Sequence, residues 1–253
     1  MITLKKIYRY LIKLFPLKYQ EKWDKSGIIR NFDWDIKIDK ILICLDCTKN
    51  IIRFAKTKNI KLVISHHPIF NKNNIIDESN IKLLKKLKIS LISLHTNVDN
   101  HPLGLNYYLS NLLNFKNTFQ VQMDDCGSLY VGNLKNKKNT HDTIKLICEK
   151  LNITHHVKYV GNNTIIERAI ICSGAGFDVI KNALNYYDTR TILITGDIKW
   201  HDWLYADQLK LNLLDIGHDV EKHFIELIYK NLQKIFPCLK IYKSFPSISI
   251  KLY

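Results

Sequence analysis

A chain of 253 residues with 46% hydrophobic and 24% charged side chains is long enough to bury one large core or two smaller ones. That balance excludes a disordered or fibrous protein. The formal charge of +15 invites a phosphate-binding surface, yet 33 of the 38 basic residues are Lys scattered among Ile and Asn. With no arginine-rich run and no recognisable nucleic-acid module, a nucleic-acid footprint is not expected.

In chain order, "MITLKKIYRYLIKLF" carries Leu4, Ile7, Leu11 and Leu14 at helical spacing with Lys and Arg between them. The run has neither a continuous apolar segment nor a small-residue cleavage site, so it predicts a surface helix and not a signal peptide. Strands are expected at "ILICLD" (41–46), "KLVIS" (61–65), "SLISL" (90–94), "AIICS" (169–173), "TILIT" (191–195) and "NLLDI" (212–216). Helical patterns lie between them at Ile81–Leu87, Leu105–Leu113 and Phe224–Phe236. A hairpin-like group, "GSLYVGNL" (127–134) and "HHVKYVG" (155–161), flanks a further helix at 141–151. Apolar strands alternating with helices predict an α/β fold of mainly parallel strands covered on both faces. The composition shift around 114–126 places a boundary between two α/β lobes, 1–116 and 117–253. Cysteines 44, 47, 126, 148, 172 and 238 sit mostly in apolar strand-like runs or helix patterns and are read as reduced core thiols of a cytoplasmic protein. Cys44 and Cys47 form a CxxC without a second one, too little for a zinc or redox site. No stretch reaches the roughly 18 apolar residues of a membrane span.

What ends the strands carries the chemistry. "LVIS" runs into His66-His67, "LISL" into His95-Thr-Asn-Val-Asp99, "TILIT" into Gly196-Asp197, and "NLLDI" into Gly217-His218-Asp-Val-Glu221. Open α/β sheets bind ligands beyond the carboxyl ends of their strands, so metal-capable side chains recur where such a fold holds its site. Successive residues of an extended chain point to opposite sides, and Pro68 biases His67 toward extended geometry. His66 and His67 are therefore expected to serve different ions, with carboxylates bridging. Mixed His/carboxylate ligation suits Zn, Mn or Fe better than Ca or Mg.

These residues resemble the GTP cyclohydrolase type 2-like, YbgI- or Nif-three-like, family of dinuclear metal proteins. "EKWDKSGI" (21–28) is similar to the family's WDNxGL segment, with Lys25 where Asn is usual. "SHHPIF" (65–70) and "HTNVD" (95–99) match closely, "CSGAG" (172–176) and "TGDIKWHD" (195–202) resemble later motifs, and "DIGHDVE" (215–221) resembles GHxxxE. The resemblance implies two divalent metal ions in the cleft between the lobes, with His66, His67, Asp99, His218 and Glu221 as ligands and Glu221 bridging. It implies His95 beside the substrate and His201 as a nearby proton donor. It also implies a toroidal homohexamer and a nucleotide substrate, in the family's version GTP converted with water to formate and dihydroneopterin triphosphate. A phosphoester hydrolase and a non-catalytic metal-binding protein are the alternatives. Glu221 stands three residues after His218 where the family has four, and Asp219 is the substitute if Glu221 points away. His155-His156 precedes its strand without an acidic neighbour and is read as surface. "CSGAG" is either an anion-holding turn or a tight structural one.

Overall fold

The computed structural model describes residues 2–69, 75–123 and 127–245, the side chains of residues 75 and 76 excepted; Phe70 and Cys126 lie outside the described residues. The chain forms two compact units. One takes it up to Val98 and resumes at Phe224, and the other is Asp99–His223. The division expected at 116 is therefore corrected, since the C-terminal elements return to the first unit.

The first unit opens with β1 (Ile2–Thr3) and α1 (Leu4–Leu14). Thr3 caps α1, its side chain accepting from Lys6 N at 3.3 Å. The helix buries Leu4, Ile7 and Leu11, and the next buried position is Phe15 rather than Leu14. It ends there, so the fourth apolar contact comes from the residue that caps it. β2 (Gly27–Arg30) and β3 (Lys37–Ile38) follow, then β4 (Lys40–Cys44), α2 (Lys49–Thr57), β5 (Leu62–Ser65), α3 (Ile75–Leu87), β6 (Ser90–Ser93) and the short α4 (Thr96–Asp99). All four residues of β5 and of β6 are buried. Each such Leu or Ile contributes about 1.5–3 kcal/mol by leaving water, which is why these strands read as unbroken apolar runs.

The second unit comprises α5 (Leu105–Leu112), β7 (Lys116–Met123), β8 (Gly127–Asn139), α6 (Thr140–Lys150), β9 (Lys158–Val160), β10 (Ile165–Ile171), α7 (Phe177–Lys181), β11 (Thr191–Thr195), α8 (Trp200–Gln208) and β12 (Asn212–Asp215). Its sheet runs β7-β8-β10-β11-β12-β9. Only β10–β11 and β11–β12 are parallel; the other pairs are antiparallel. "Mainly parallel" thus gives way to a mixed sheet. The expected hairpin group does not pair with itself either: β8 lies between β7 and β10, while β9 closes the far edge on β12. Its core gathers Leu129, Ile170, Phe177, Leu193 and Leu213.

The chain then returns through α9 (His223–Ile235) and β13 (Lys240–Ser244). β13 adds to the free side of β4 in parallel, giving the first unit the order β13-β4-β5-β6-β2, with β2 alone antiparallel. Leu42, Val63, Leu91, Ile52 and Leu84 form its core. No helix among the described residues is long and apolar enough to cross a membrane.

Candidate metal centre

In the first unit, the end of β5 sets the geometry. His66 N donates to Cys44 O and Leu45 O at 3.2 and 3.1 Å, and His67 N donates to Leu45 O at 3.0 Å. Ser65 Oγ donates back to His67 O at 2.8 Å. These bonds bend the chain directly after the strand, so the alternation expected of an extended pair does not apply. The two rings lie 5.0 Å apart at 47°, and that of His95 stands 5.1 Å from His66 and 5.5 Å from His67. Each of the three offers a nitrogen within 4.8 Å of the others, a group able to hold a metal ion. His95, expected beside the substrate, is thereby metal-capable as well.

The acceptor behind each ring decides which nitrogen faces the cluster. His66 Nδ1 lies 2.9 Å from Leu94 O, His67 Nδ1 2.7 Å from Asp46 Oδ1, and His95 Nδ1 3.0 Å from Asp24 Oδ1. A carbonyl or carboxylate oxygen only accepts, so each Nδ1 carries a proton, and in the neutral ring Nε2 holds the lone pair. This is the arrangement by which outer residues fix the tautomer of metal-binding imidazoles. Asp24 is itself held by Lys25 N (2.6 Å), Ser26 Oγ (2.7 Å), Thr96 N (3.1 Å) and Thr96 Oγ1 (2.6 Å). Burial alone would raise its carboxyl; hydrogen bonds from His95, Thr96 and Ser26 bring it well below the usual carboxylate range.

The second unit brings Asp99, His218 and Glu221 together. His218 Nδ1 lies 2.6 Å from Asp197 Oδ2, and its Nε2 lies 3.0 Å from Glu221 Oε2. A carboxylate oxygen of Asp99 is within 4.8 Å of one of Glu221. The shortened spacing is taken up by a 3₁₀ turn, His218–Lys222, in which residues three apart eclipse one another. Gly217 makes the turn possible at φ 79. Glu221 has a side chain 5% exposed. Asp219 is 40% exposed and turns toward His155 Nε2 (3.6 Å) and Lys222 Nζ (3.3 Å). Gly174, at φ 60, lies under the Glu221 carboxylate where a Cβ would collide with Oε1. "CSGAG" therefore serves close approach.

The donor set fits a metal ion. With its Nδ1–H donated to Asp197, the neutral His218 ring sets its Nε2 lone pair 3.0 Å from a Glu221 carboxylate oxygen. Two lone-pair faces oppose one another unless a proton or a cation lies between them.

His201 stands 72% exposed on α8, with Nε2 3.4 Å from Asp202. His155 and His156 are both exposed, as expected, and His155 also contacts the Gly217 turn through Ile216 O at 3.1 Å. Cys44, Cys47 and Cys172 are buried, Cys148 half-buried and Cys238 exposed. Burial pushes Cys44 far up and Cys47 to about 12, so neither is a thiolate. Sequence reasoning missed Asp24, Asp46 and Asp197 as orienting carboxylates, although two follow strands as the candidate ligands do. It also missed Asn106, whose Oδ1 accepts from Ser173 N (2.7 Å) and whose Nδ2 reaches Ser128 O (3.0 Å) and Asp99 O (3.3 Å).

Fold and clusters define an α/β protein with groups of histidines and carboxylates that could hold a metal ion. The chain belongs to the Duf34/NIF3 (NGG1p interacting factor 3) family, which it matches over residues 2–245. A Ureaplasma parvum relative named GTP cyclohydrolase 1 type 2 homolog is 34% identical over 91% of this chain and 89% of its own. A Campylobacter jejuni relative of the same name is 33% identical over 92% and 93%. Helicobacter pylori GTP cyclohydrolase 1 type 2 is 27% identical, covering 97% of each chain. The fold matches that of Staphylococcus aureus protein SA1388, with TM-score 0.83, 24% identity and coverage of 100% and 99%. It likewise matches reduced HcgD from Methanocaldococcus jannaschii, with TM-score 0.82, 23% identity and coverage of 96% and 97%.

Proposed function

We propose that this chain is a metal-dependent hydrolase of a purine nucleotide, with His66, His67, Asp99, His218 and Glu221 holding two divalent ions, Zn, Mn or Fe. The observation that carries this reading is the common tautomer of His66, His67, His95 and His218, each with Nδ1 bound to an oxygen acceptor. Bound ions would supply Lewis acidity and activate water at neutral pH. The chain's own task is orientation. Asp46 and Asp197 hold two of the imidazoles, and Gly174 admits the Glu221 carboxylate.

His95 is proposed to move the proton. Asp24 holds its Nδ1–H, leaving Nε2 to take a proton from water and return it to the leaving group, and stabilises the ring once charged. Exposed on α8, His201 has no comparable support for the donor role. The relatives' names support GTP as substrate, and the family resemblance implies formate as the small product. A homohexamer in the cytoplasm completes the proposal.

The test is metal analysis of protein purified without chelators, followed by turnover on a nucleotide panel. Formate release is the expected outcome. Inorganic phosphate would redirect the reading to a phosphoester hydrolase, and silence at full metal occupancy to a binding protein. His66→Ala is expected to lower metal content. His95→Ala should keep the metal and lose about 10²–10⁴-fold in kcat; loss of metal in that variant would make His95 a ligand instead.

A further inference from the structure

A crevice of about 480 Å³ lies in the second unit, lined by Lys158 and Tyr159 of β9 and by Ile198, Trp200 and Trp203 at the start of α8. The packing of α8 explains its place. A surface helix usually turns its apolar stripe inward, yet α8 buries Asp202 and Ala206. Asp202 can face inward because Lys181 Nζ donates to its carboxylate at 3.3 Å. With the inner face so occupied, Trp200 is left 76% exposed, more than any other large apolar side chain among the described residues. Within those residues it contacts no other ring, and its Nε1–H meets no acceptor.

The remaining wall is held in place. Ile198 and Trp203 pack against the core of the unit, and the Tyr159 hydroxyl donates to Asn212 Oδ1 at 2.8 Å. A preformed apolar wall spares a ligand much of the cost of ordering its site. Aromatic faces at such a wall attract flat rings or cations, and the local charge chooses between them. Lys158 is the only charged residue of the lining; it is exposed and forms no ion pair among the described residues. Asp215 stands opposite it in register but gives Oδ1 to Gly217 N at 2.9 Å. Asp197, next to Ile198, is taken up by His218 at 2.6 Å. A fixed ammonium with no carboxylate in the lining opposes a second cation and favours an anion.

We propose that this crevice binds a flat aromatic ring carrying an anionic group, with the ring stacked on Trp200 and the anion beside Lys158. Stacking on an aromatic face tolerates many rings, so flatness and charge, rather than a particular edge, set the class of ligand. The proposal goes beyond the hydrolase reading and does not rest on it, since no lining residue is a proposed metal ligand.

The probe is naphthalene-2-sulfonate, titrated calorimetrically into the full chain. Cyclohexanesulfonate keeps the charge without the flat ring, and 2-naphthylmethylammonium keeps the ring with the opposite charge. Each titration is repeated with chelator, which removes any anion held by metal. Naphthalene-2-sulfonate is expected to bind about tenfold tighter than either control. Trp200→Ala should weaken it about tenfold, with an unchanged melting curve because the side chain is exposed. Lys158→Gln should abolish the preference over the ammonium while keeping that over cyclohexanesulfonate. Equal binding of the three compounds, a Trp200→Ala variant of parental affinity, or binding that disappears with chelator overturns the proposal. So does a crevice that takes none of them while Trp200→Ala lowers the sedimentation coefficient, which would make this face a contact between copies of the chain.

Discussion

Asp24 shows what one buried carboxylate contributes. It accepts five hydrogen bonds, from Lys25, Ser26, His95 and twice from Thr96. Its folded pKa lies below the unfolded value, so the stabilisation is complete above about pH 4 and is lost as pH falls below it. Asp24→Asn is expected to cost about 2–3 kcal/mol at pH 7, with the gap to the parent closing as pH drops toward 2. Urea unfolding at several pH values checks this; equal stabilities at pH 7 would sink it. Kinetically the same variant should lose about 10–100-fold in turnover. "EKWDKSGI" is legible as a motif, but not this role, because His95 and Thr96 lie some seventy residues further on. No local periodicity records such a partner.

At the scale of elements, the apolar strands were legible because burial on both faces leaves an unbroken run of Ile, Leu and Val. Their ends were not. The alternation rule separates His66 from His67 only while the chain stays extended, and backbone bonds to Cys44 and Leu45 bend it. Likewise, a three-residue spacing offers both Glu221 and Asp219, and the 3₁₀ turn selects Glu221. That turn leans on Gly174. Gly174→Ala is expected to push Glu221 from His218, reduce bound metal and cost about 1–2 kcal/mol through the left-handed backbone at φ 60. Metal analysis beside circular dichroism checks it, and full metal content in a folded variant would show that Glu221 is not a ligand.

For the whole molecule, composition misplaces the boundary for a physical reason. The polar stretch around 116–123 is β7, an edge strand whose residues are all exposed or half-buried. Edges carry polar side chains to discourage pairing with other chains, so an edge strand and a linker look alike in sequence. Nor does any local signal announce that β13 will return to β4. The family, by contrast, was legible from short motifs in a fixed order, because the residue types that would make a metal site stay local in the sequence. Calorimetric unfolding with added Mn or Zn tests their common purpose. The expected result is a transition raised by the metal in the parent and unmoved in a His66→Ala, His218→Ala double variant. An equal rise in both would place the metal elsewhere.

The return of β13 sets an order of events during synthesis. Every strand of the second unit is contained in one continuous stretch, 99–223, while the sheet of the first lacks an outer strand until residues 240–244 exist. At ordinary translation speeds the N-terminal strands therefore wait on the order of ten seconds with the side of β4 open. That interval exposes an apolar edge on which a chaperone or a neighbouring nascent chain can act. A fragment of residues 99–223 should unfold cooperatively by itself, whereas residues 1–98 should aggregate or stay unfolded. A soluble, cooperatively unfolding 1–98 would show that β4 needs no partner on that side. The part of this protein made first is, on this argument, the last to be finished.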